Sequence, residues 1–287
     1  MSLESALALI ESVKDYSVLF VGDDIIDEYH YVRPLGKSSK EYMIATAFIS
    51  KEAFDGGTQA ASNHLRTFCK TVEVRKSPTA VHKVRFVDKA TGRKVFECQH
   101  DERIEVNSYL DGTFDAVVVQ DFGHGRVTGE MIKKLCAMPF VAVNAQTNAA
   151  NFGFNLITKY QRADYIVIDE LEARLAAGDR DGHIEDVMQK LAHGRCERFV
   201  VTRGTHGAYG YDNGKFYRQP ALTDRVVDTM GAGDAFFAVT APMAKNGEMG
   251  DLLLIGCAAG ALKCGIVGHR EAVTKEALIG YLKANAG

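Results

Sequence analysis

The sequence predicts an α/β protein built as three αβα layers, with a small β-sheet attached to the main one. Three observations lead there. Five short apolar runs rich in β-branched residues recur along the chain. From residue 116 to residue 202 each gap between runs leaves room for one helix. The runs also lack polar alternation, which marks strands buried on both faces, as in a parallel sheet covered by helices.

The elements follow in order. Leu3, Ala6, Leu7, Ile10 and Val13 fall at helical spacing, so the N-terminal stretch reads as a surface helix with one buried stripe. It carries Glu4 and Glu11 and no basic start or small-residue cleavage site, so it is not expected to be a signal peptide. The first strand is Val18-Leu19-Phe20-Val21, and residues 58–68 read as a helix-like stretch. Further strands are Ala116-Val117-Val118-Val119, Phe140-Val141-Ala142-Val143, Tyr165-Ile166-Val167-Ile168 and Phe199-Val200-Val201-Thr202. The last third is helical: 232–245, ended by Asn246-Gly247, then 251–264, then 274–284 with Thr274 as N-cap. Pro242 sits inside the first of these and is expected to kink it.

Residues 28–50 and 80–100 break this rhythm. Both look extended, with Tyr29, Tyr31, Val32, Tyr42, Ile44 and Phe48 in one and Val84, Phe86, Val95 and Phe96 in the other. Thr91-Gly92 supplies a turn between the last two segments, which predicts a hairpin. A sheet this small is not stable alone in water. It therefore covers something, as a lid over an active site would, or it extends the main sheet.

The chain has 287 residues, with 34 Lys+Arg against 37 Asp+Glu and a formal charge of −3. That length fits one large domain or two small ones. The near-neutral balance argues against a nucleic-acid partner. No stretch reaches the roughly 20 apolar residues a membrane span needs. Cys69, Cys98, Cys136, Cys196, Cys257 and Cys264 are scattered, with no pair at CxxC spacing. They read as thiols in a reducing compartment, the cytoplasm. No GxGxxG follows the first strand, which removes a dinucleotide-binding reading.

The run with most chemistry is Val227-Asp228-Thr229-Met230-Gly231-Ala232-Gly233-Asp234-Ala235-Phe236-Phe237. A Gly-Ala-Gly turn enters a helix directly, where free N–H groups and the helix dipole favour an anion. Asp234 falls in the first helical turn, placed to take a proton from an attacking hydroxyl while the amides of Gly231, Ala232 and Gly233 stabilise a transferring phosphoryl group. A glycine turn with a capping Asp would give the same string.

This run resembles the signature of the PfkB/ribokinase-like carbohydrate kinases, and other segments follow that family's order along nearly the whole chain. Gly22-Asp23-Asp24-Ile25-Ile26-Asp27 resembles its GDxxxD entry motif, which implies that Asp27 binds sugar hydroxyls. Gly56-Gly57 resembles the di-glycine that closes on the sugar. Asp169-Glu170-Leu171-Glu172 resembles its NxxE, implying that Glu172, with Asp169, supports Mg²⁺ through water. Thr202-Arg203-Gly204-Thr205-His206-Gly207 resembles the nucleotide loop, with Cys257 on the adenine side. Asp228 stands where relatives bind a monovalent cation such as K⁺. Gly22 to Tyr31, Gln120 to Gly125 and Val201 to Arg203 are similar to the heptose-7-phosphate kinase domain of bacterial ADP-heptose synthases.

The resemblance implies a three-layer ribokinase-like fold forming one kinase domain over residues 1–287, with lid segments at about 28–50 and 80–100. It implies ATP and Mg²⁺, a sugar or sugar-phosphate acceptor, and a homodimer paired through the lid. Lys83 and Arg85 match the subgroup's basic pair, suited to an acceptor phosphate. Departures are also visible. Ala60 and Ala61 stand where the family usually has an Asn, with Gln59 and Asn63 nearby. His124 replaces a subgroup lysine, Asn144-Ala145-Gln146 replaces a DPK-like run, Asp169 replaces the Asn of NxxE, and Cys257 replaces an Asn. These put the acceptor in question and leave open a nucleoside or vitamin kinase, or a ligand-binding relative without turnover. Read without the resemblance, Asp27 could be a turn residue, Gly56-Gly57 a helix entry and Glu172 a helix-dipole partner.

Overall fold

Alternate side chains of the apolar runs fall on opposite faces of one eight-stranded sheet, and that alternation divides the core in two. A computed structural model describes residues 2–75, 79–100, 110–223 and 226–285. The sheet contains β1 (Ser17–Gly22), β4 (Thr71–Arg75), β7 (Ala116–Asp121), β8 (Val141–Ala145), β9 (Tyr165–Asp169), β10 (Arg198–Thr202), β11 (Ala208–Asp212) and β12 (Lys215–Gln219). Its order is β12-β11-β10-β9-β8-β7-β1-β4. The six strands from β10 to β4 are parallel, and β11 and β12 add an antiparallel edge.

Val18, Phe20, Val118 and Val200 point to one face, against α1 (Leu3–Ser12), α2 (Gly57–Asn63), α6 (Ala232–Met243), α7 (Met249–Cys264) and α8 (Lys275–Asn285). Leu19, Val21, Val119 and Val201 point to the other, against α3 (Gly129–Cys136), α4 (Glu170–Ala177) and α5 (Ile184–Ala192). This is the three-layer α/β fold expected.

Several local expectations change. The gap between β8 and β9 holds no α-helix, only a 3-10 turn at Ile157–Lys159. Asn side chains there take up the polar backbone: Asn148 and Asn151 donate to Phe122 O at 2.6 and 2.8 Å, and Asn155 donates to Asp121 O at 2.9 Å. Such side-chain bonding competes with helix formation. The next gap holds two helices, α4 and α5. The helix-like stretch at 58–68 is shorter, ending at Asn63. Pro242 lies in the last turn of α6, one residue before its end, so it marks termination rather than a mid-helix kink. Thr274 caps α8, accepting from the Ala277 amide at 3.2 Å.

A second sheet has four strands in the order β3-β2-β5-β6: β2 (Asp24–Lys37), β3 (Ile44–Gly56), β5 (Val81–Asp88) and β6 (Lys94–His100). β2 and β5 run parallel, and the outer pairs antiparallel. Register places Asp27 between Phe54 and Lys83, and Tyr29 between Glu52 and Arg85, all on the face that holds the buried charges. The opposite face carries one ring from each strand: Phe48, His30, Phe86 and Phe96 in a continuous row, Phe86 stacked on Phe96 at 4.2 Å. Phe48 is 63% exposed and Phe96 45%, so this face is open.

Candidate active site

The carboxyl ends of the parallel strands meet the N-terminus of α6, the place where open α/β sheets bind ligands. Gly231 is the N-cap of α6 with φ 76°, a left-handed conformation that a Cβ would strain. The turn it makes puts Asp234 in the first turn of α6, facing the strand ends. Asp234 Oδ1 accepts from Gln120 Nε2 on β7 and from Gln146 Nε2 just beyond β8, both at 2.5 Å. Gln146 Nε2 also donates to Asn144 Oδ1 at 2.8 Å. Burial raises the Asp234 pKa, opposed by the Gln146 hydrogen bond and by the nearby His269 and Lys263. A hydrogen-bonded carboxylate with a raised pKa suits general-base work.

On one side of the turn lies a cavity of about 400 Å³. Thr202, Gly204, Gly207 and Cys257 all line it, as do Gly233 and Asp169. The sequence-predicted nucleotide residues are thus brought together, next to the glycine turn. Gly207 has φ 81°, and a Cβ there would fall 2.0 Å from Gln219 O. The loop closes because the Arg203 amide donates to Gly207 O at 2.7 Å.

Asp169 and Glu172 form a capping box at the start of α4. Asp169 accepts from the Glu172 amide at 2.7 Å, and Glu172 accepts from the Asp169 amide at 2.9 Å. The second Glu172 oxygen accepts from the Thr147 amide at 2.9 Å. Burial and then the Asp169 carboxylate raise the Glu172 pKa. Among the described residues no three His, Cys, Asp or Glu side chains are grouped to hold a metal ion.

On the other side of the turn the smaller sheet presents charge. Asp27 is buried and ion-paired with Arg85, and its Oδ2 lies 3.2 Å from His269 Nε2. Burial alone would raise the Asp27 pKa, but His269 and Arg85 hold it below the usual carboxylate range. Arg85 also pairs with Glu97 at 2.7 Å. Gly56 leaves room for this cluster, since a Cβ there would fall 2.3 Å from Asp27 Oδ2. Gly57 follows at the start of α2. Lys83 is equally buried, yet it has no hydrogen bond or ion pair among the described residues. Burial lowers its pKa.

Asp228 accepts from the Met230 amide at 3.1 Å and the Gly268 amide at 3.0 Å, fastening the turn to the loop after α7.

Sequence reasoning passed over four residues here. His269 bridges the halves of the site, pairing with Asp27 while its ring lies 3.4 Å from where a Gly231 Cβ would be. Nothing in its local pattern distinguishes it. Gln120 falls in a segment noted only as an echo of relatives. Asp23, fully buried, accepts from the Phe122 amide at 2.8 Å, and burial pushes its pKa up to about 6. Lys263 offered a signal, a charge near the end of an otherwise apolar 252–264 run.

Residues 139–276 match the pfkB family carbohydrate kinase. A curated relative, the probable fructokinase-6, chloroplastic, of Arabidopsis thaliana, is 31% identical over 140 residues, covering 46% of this chain and 36% of its own length. The chain thus spans little more than a third of the curated relatives it matches. The structure of Arabidopsis thaliana ribokinase complexed with ribose and ATP has a TM-score of 0.68 at 15% identity, covering 94% of this chain and 99% of that one. Phosphofructokinase-2 from Escherichia coli, in complex with fructose-6-phosphate, gives 0.66 at 11% identity, covering 95% of this chain and 100% of that one. At these identities the two structures establish the fold. The chain is thus similar to pfkB family carbohydrate kinases over residues 139–276, just under half its length, and its fold is ribokinase-like.

Proposed function

We propose that the protein is a phosphotransferase that moves the γ-phosphoryl group of ATP to a hydroxyl of a sugar or sugar phosphate. One observation carries this reading. Asp234 sits at an anion-accepting helix start, with a nucleotide-sized cavity on one side and a buried charged cluster on the other. Thr202, Gly204, Gly207 and Cys257 would hold the nucleotide. Asp234 would take the proton from the acceptor hydroxyl, and the Gly231, Ala232 and Gly233 amides would meet the transferring group. Mg²⁺ favours phosphate and water oxygens and needs few protein ligands. Asp169, exposed at the cavity wall, fits that outer role, while Glu172 behind it is buried with both oxygens accepting from backbone amides and would act by fixing Asp169 in place. When bound, the ion would neutralise phosphate charge.

Lys83 supports the finer reading of a phosphorylated acceptor, a heptose 7-phosphate being the candidate from the resemblance. The Lys83 ammonium makes no hydrogen bond or ion pair among the described residues, which leaves its donors for an anionic substrate. Asp27 and Arg85 neutralise each other and would serve the hydroxyls. A coupled ADP-release screen over sugars, sugar phosphates and nucleosides tests both levels. Turnover confined to sugar phosphates supports the acceptor reading, and turnover confined to unphosphorylated sugars or nucleosides overturns it. A ligand-binding relative without turnover is favoured by one observation, the engagement of Asp27 by Arg85 and His269. ATP binding with no ADP release on any acceptor would select it.

The smaller sheet is read as a lid, residues 1–287 as one domain, and the open aromatic row as the face on which two copies pair. A monomer across micromolar concentrations in sedimentation would remove the dimer. No helix among the described residues is long and apolar enough to cross a membrane. Six free cysteines support a reducing compartment, the cytoplasm.

A further inference from the structure

The family resemblance implies a monovalent cation near Asp228, and the residues present here do not fit one. Lys263 of α7 is fully buried. Its Nζ donates to Met230 O at 2.9 Å and Gly268 O at 2.7 Å, with Ile266 O at 3.4 Å. Three backbone carbonyls from two separate loops therefore converge on one point. Carbonyl oxygens gathered in that way suit a monovalent cation, and an ammonium supplies one N–H to each. A potassium ion in this cage would coincide with Nζ.

The surroundings explain why a charge is wanted there. Asp228 accepts from the amides of Met230 and Gly268, while the carbonyls of those same residues face Lys263. Carboxylate and ammonium thus clamp one pair of loops with opposite polarity. The lysine stem passes beneath the anion turn, since a Cβ on Gly231 would lie 3.3 Å from Lys263 Cε.

We propose that the Lys263 ammonium is a built-in monovalent cation, which holds the Gly231–Gly233 turn in its anion-accepting shape and frees the site from any need for potassium. Lys263 is a positioning residue, acting on phosphate through the turn. The inference rests on the kinase reading only for its nucleotide measurements.

The test compares ATP binding by calorimetry and thermal unfolding in potassium, sodium and choline chloride at equal ionic strength. The wild type should bind ATP and melt alike in all three. In choline, Lys263→Ala should bind ATP roughly tenfold or more weakly, the scale expected when buried carbonyls lose their donors. Potassium or ammonium ions should restore that binding, because the lost stem leaves the cage open. Lys263→Met fills the same space without charge and should not be restored. A wild type whose ATP affinity or melting temperature rises in potassium over choline would overturn the proposal. So would a Lys263→Ala protein that binds ATP like the wild type in choline. Should Lys263→Ala fail to fold, the wild-type salt series alone decides. If ATP binds in no salt, the kinase reading fails, and melting decides the proposal through the stabilisation of Lys263→Ala by potassium.

Discussion

The two halves of the site are made of different material. The proposed nucleotide side is mostly backbone and small residues, with Gly204, Gly207, Gly233 and Cys257 shaping a cavity beside a helix start. The proposed acceptor side is built of charged side chains on neighbouring strands, where Asp27, Arg85 and Glu97 together carry one net negative charge that Lys83 offsets without an ion pair of its own. A backbone site accepts any ligand with the right phosphate geometry. A side-chain site discriminates, because each unpaired charge must be met by its ligand. On the proposed reading the donor half is general and the acceptor half selective.

The sharpest way to break this contrast is to remove the group between the halves. Asp234→Asn should lower kcat by about 10²–10⁴-fold, the worth of a general base, with both KM values little changed. Steady-state kinetics with the best acceptor checks this. Next, Gly207→Val adds a side chain where a Cβ would already lie 2.0 Å from Gln219 O. ATP affinity should drop by at least tenfold with about 1–3 kcal/mol of lost stability, read by calorimetry and urea unfolding. Arg85→Met attacks the other half. It leaves Asp27 with His269 alone, and the acceptor KM should rise roughly tenfold while the ATP KM holds. An equal rise in both would erase the distinction between the halves. The smallest effect concerns pH. Asp234 must be ionised to act, and its pKa is raised by burial, so kcat/KM should fall on acidification at a pH above the usual carboxylate range. The Gln146 hydrogen bond holds that pKa down, so Gln146→Ala should move the acid limb to higher pH.

The same contrast explains what could be read from sequence. The donor half comes from contiguous strings, Thr202 to Gly207 and Asp228 to Asp234, whose glycines carry their conformational reason locally. Five of the six parallel strands are equally legible, because burial on both faces leaves apolar runs, whereas β4 at the sheet edge is half-buried, carries Glu73 and Arg75, and gives no such run. The acceptor cluster joins residue 27 with 85 and 269, and no local pattern announces such a meeting. His269 and Gln120 were missed for that reason. The β11–β12 hairpin was a different failure. Asn213-Gly214 is a hairpin signal, and both residues take positive φ, 47° and 88°, yet the run around it is too polar to read as buried strand.

Tyr29 links regions that have been treated separately. Its hydroxyl lies 3.3 Å from Met230 Sδ, and a Cβ on Gly268 would fall 3.3 Å from the same oxygen. Tyr29 stands two residues from Asp27 on one face of β2, and a strand has little slack over two residues. A ligand engaging Asp27 would therefore bear on a side chain resting against the Gly231 turn. On the proposed reading the consequence is thermodynamic: the two substrates would not bind independently, and whatever factor the acceptor imposed on nucleotide affinity, the nucleotide would return in full.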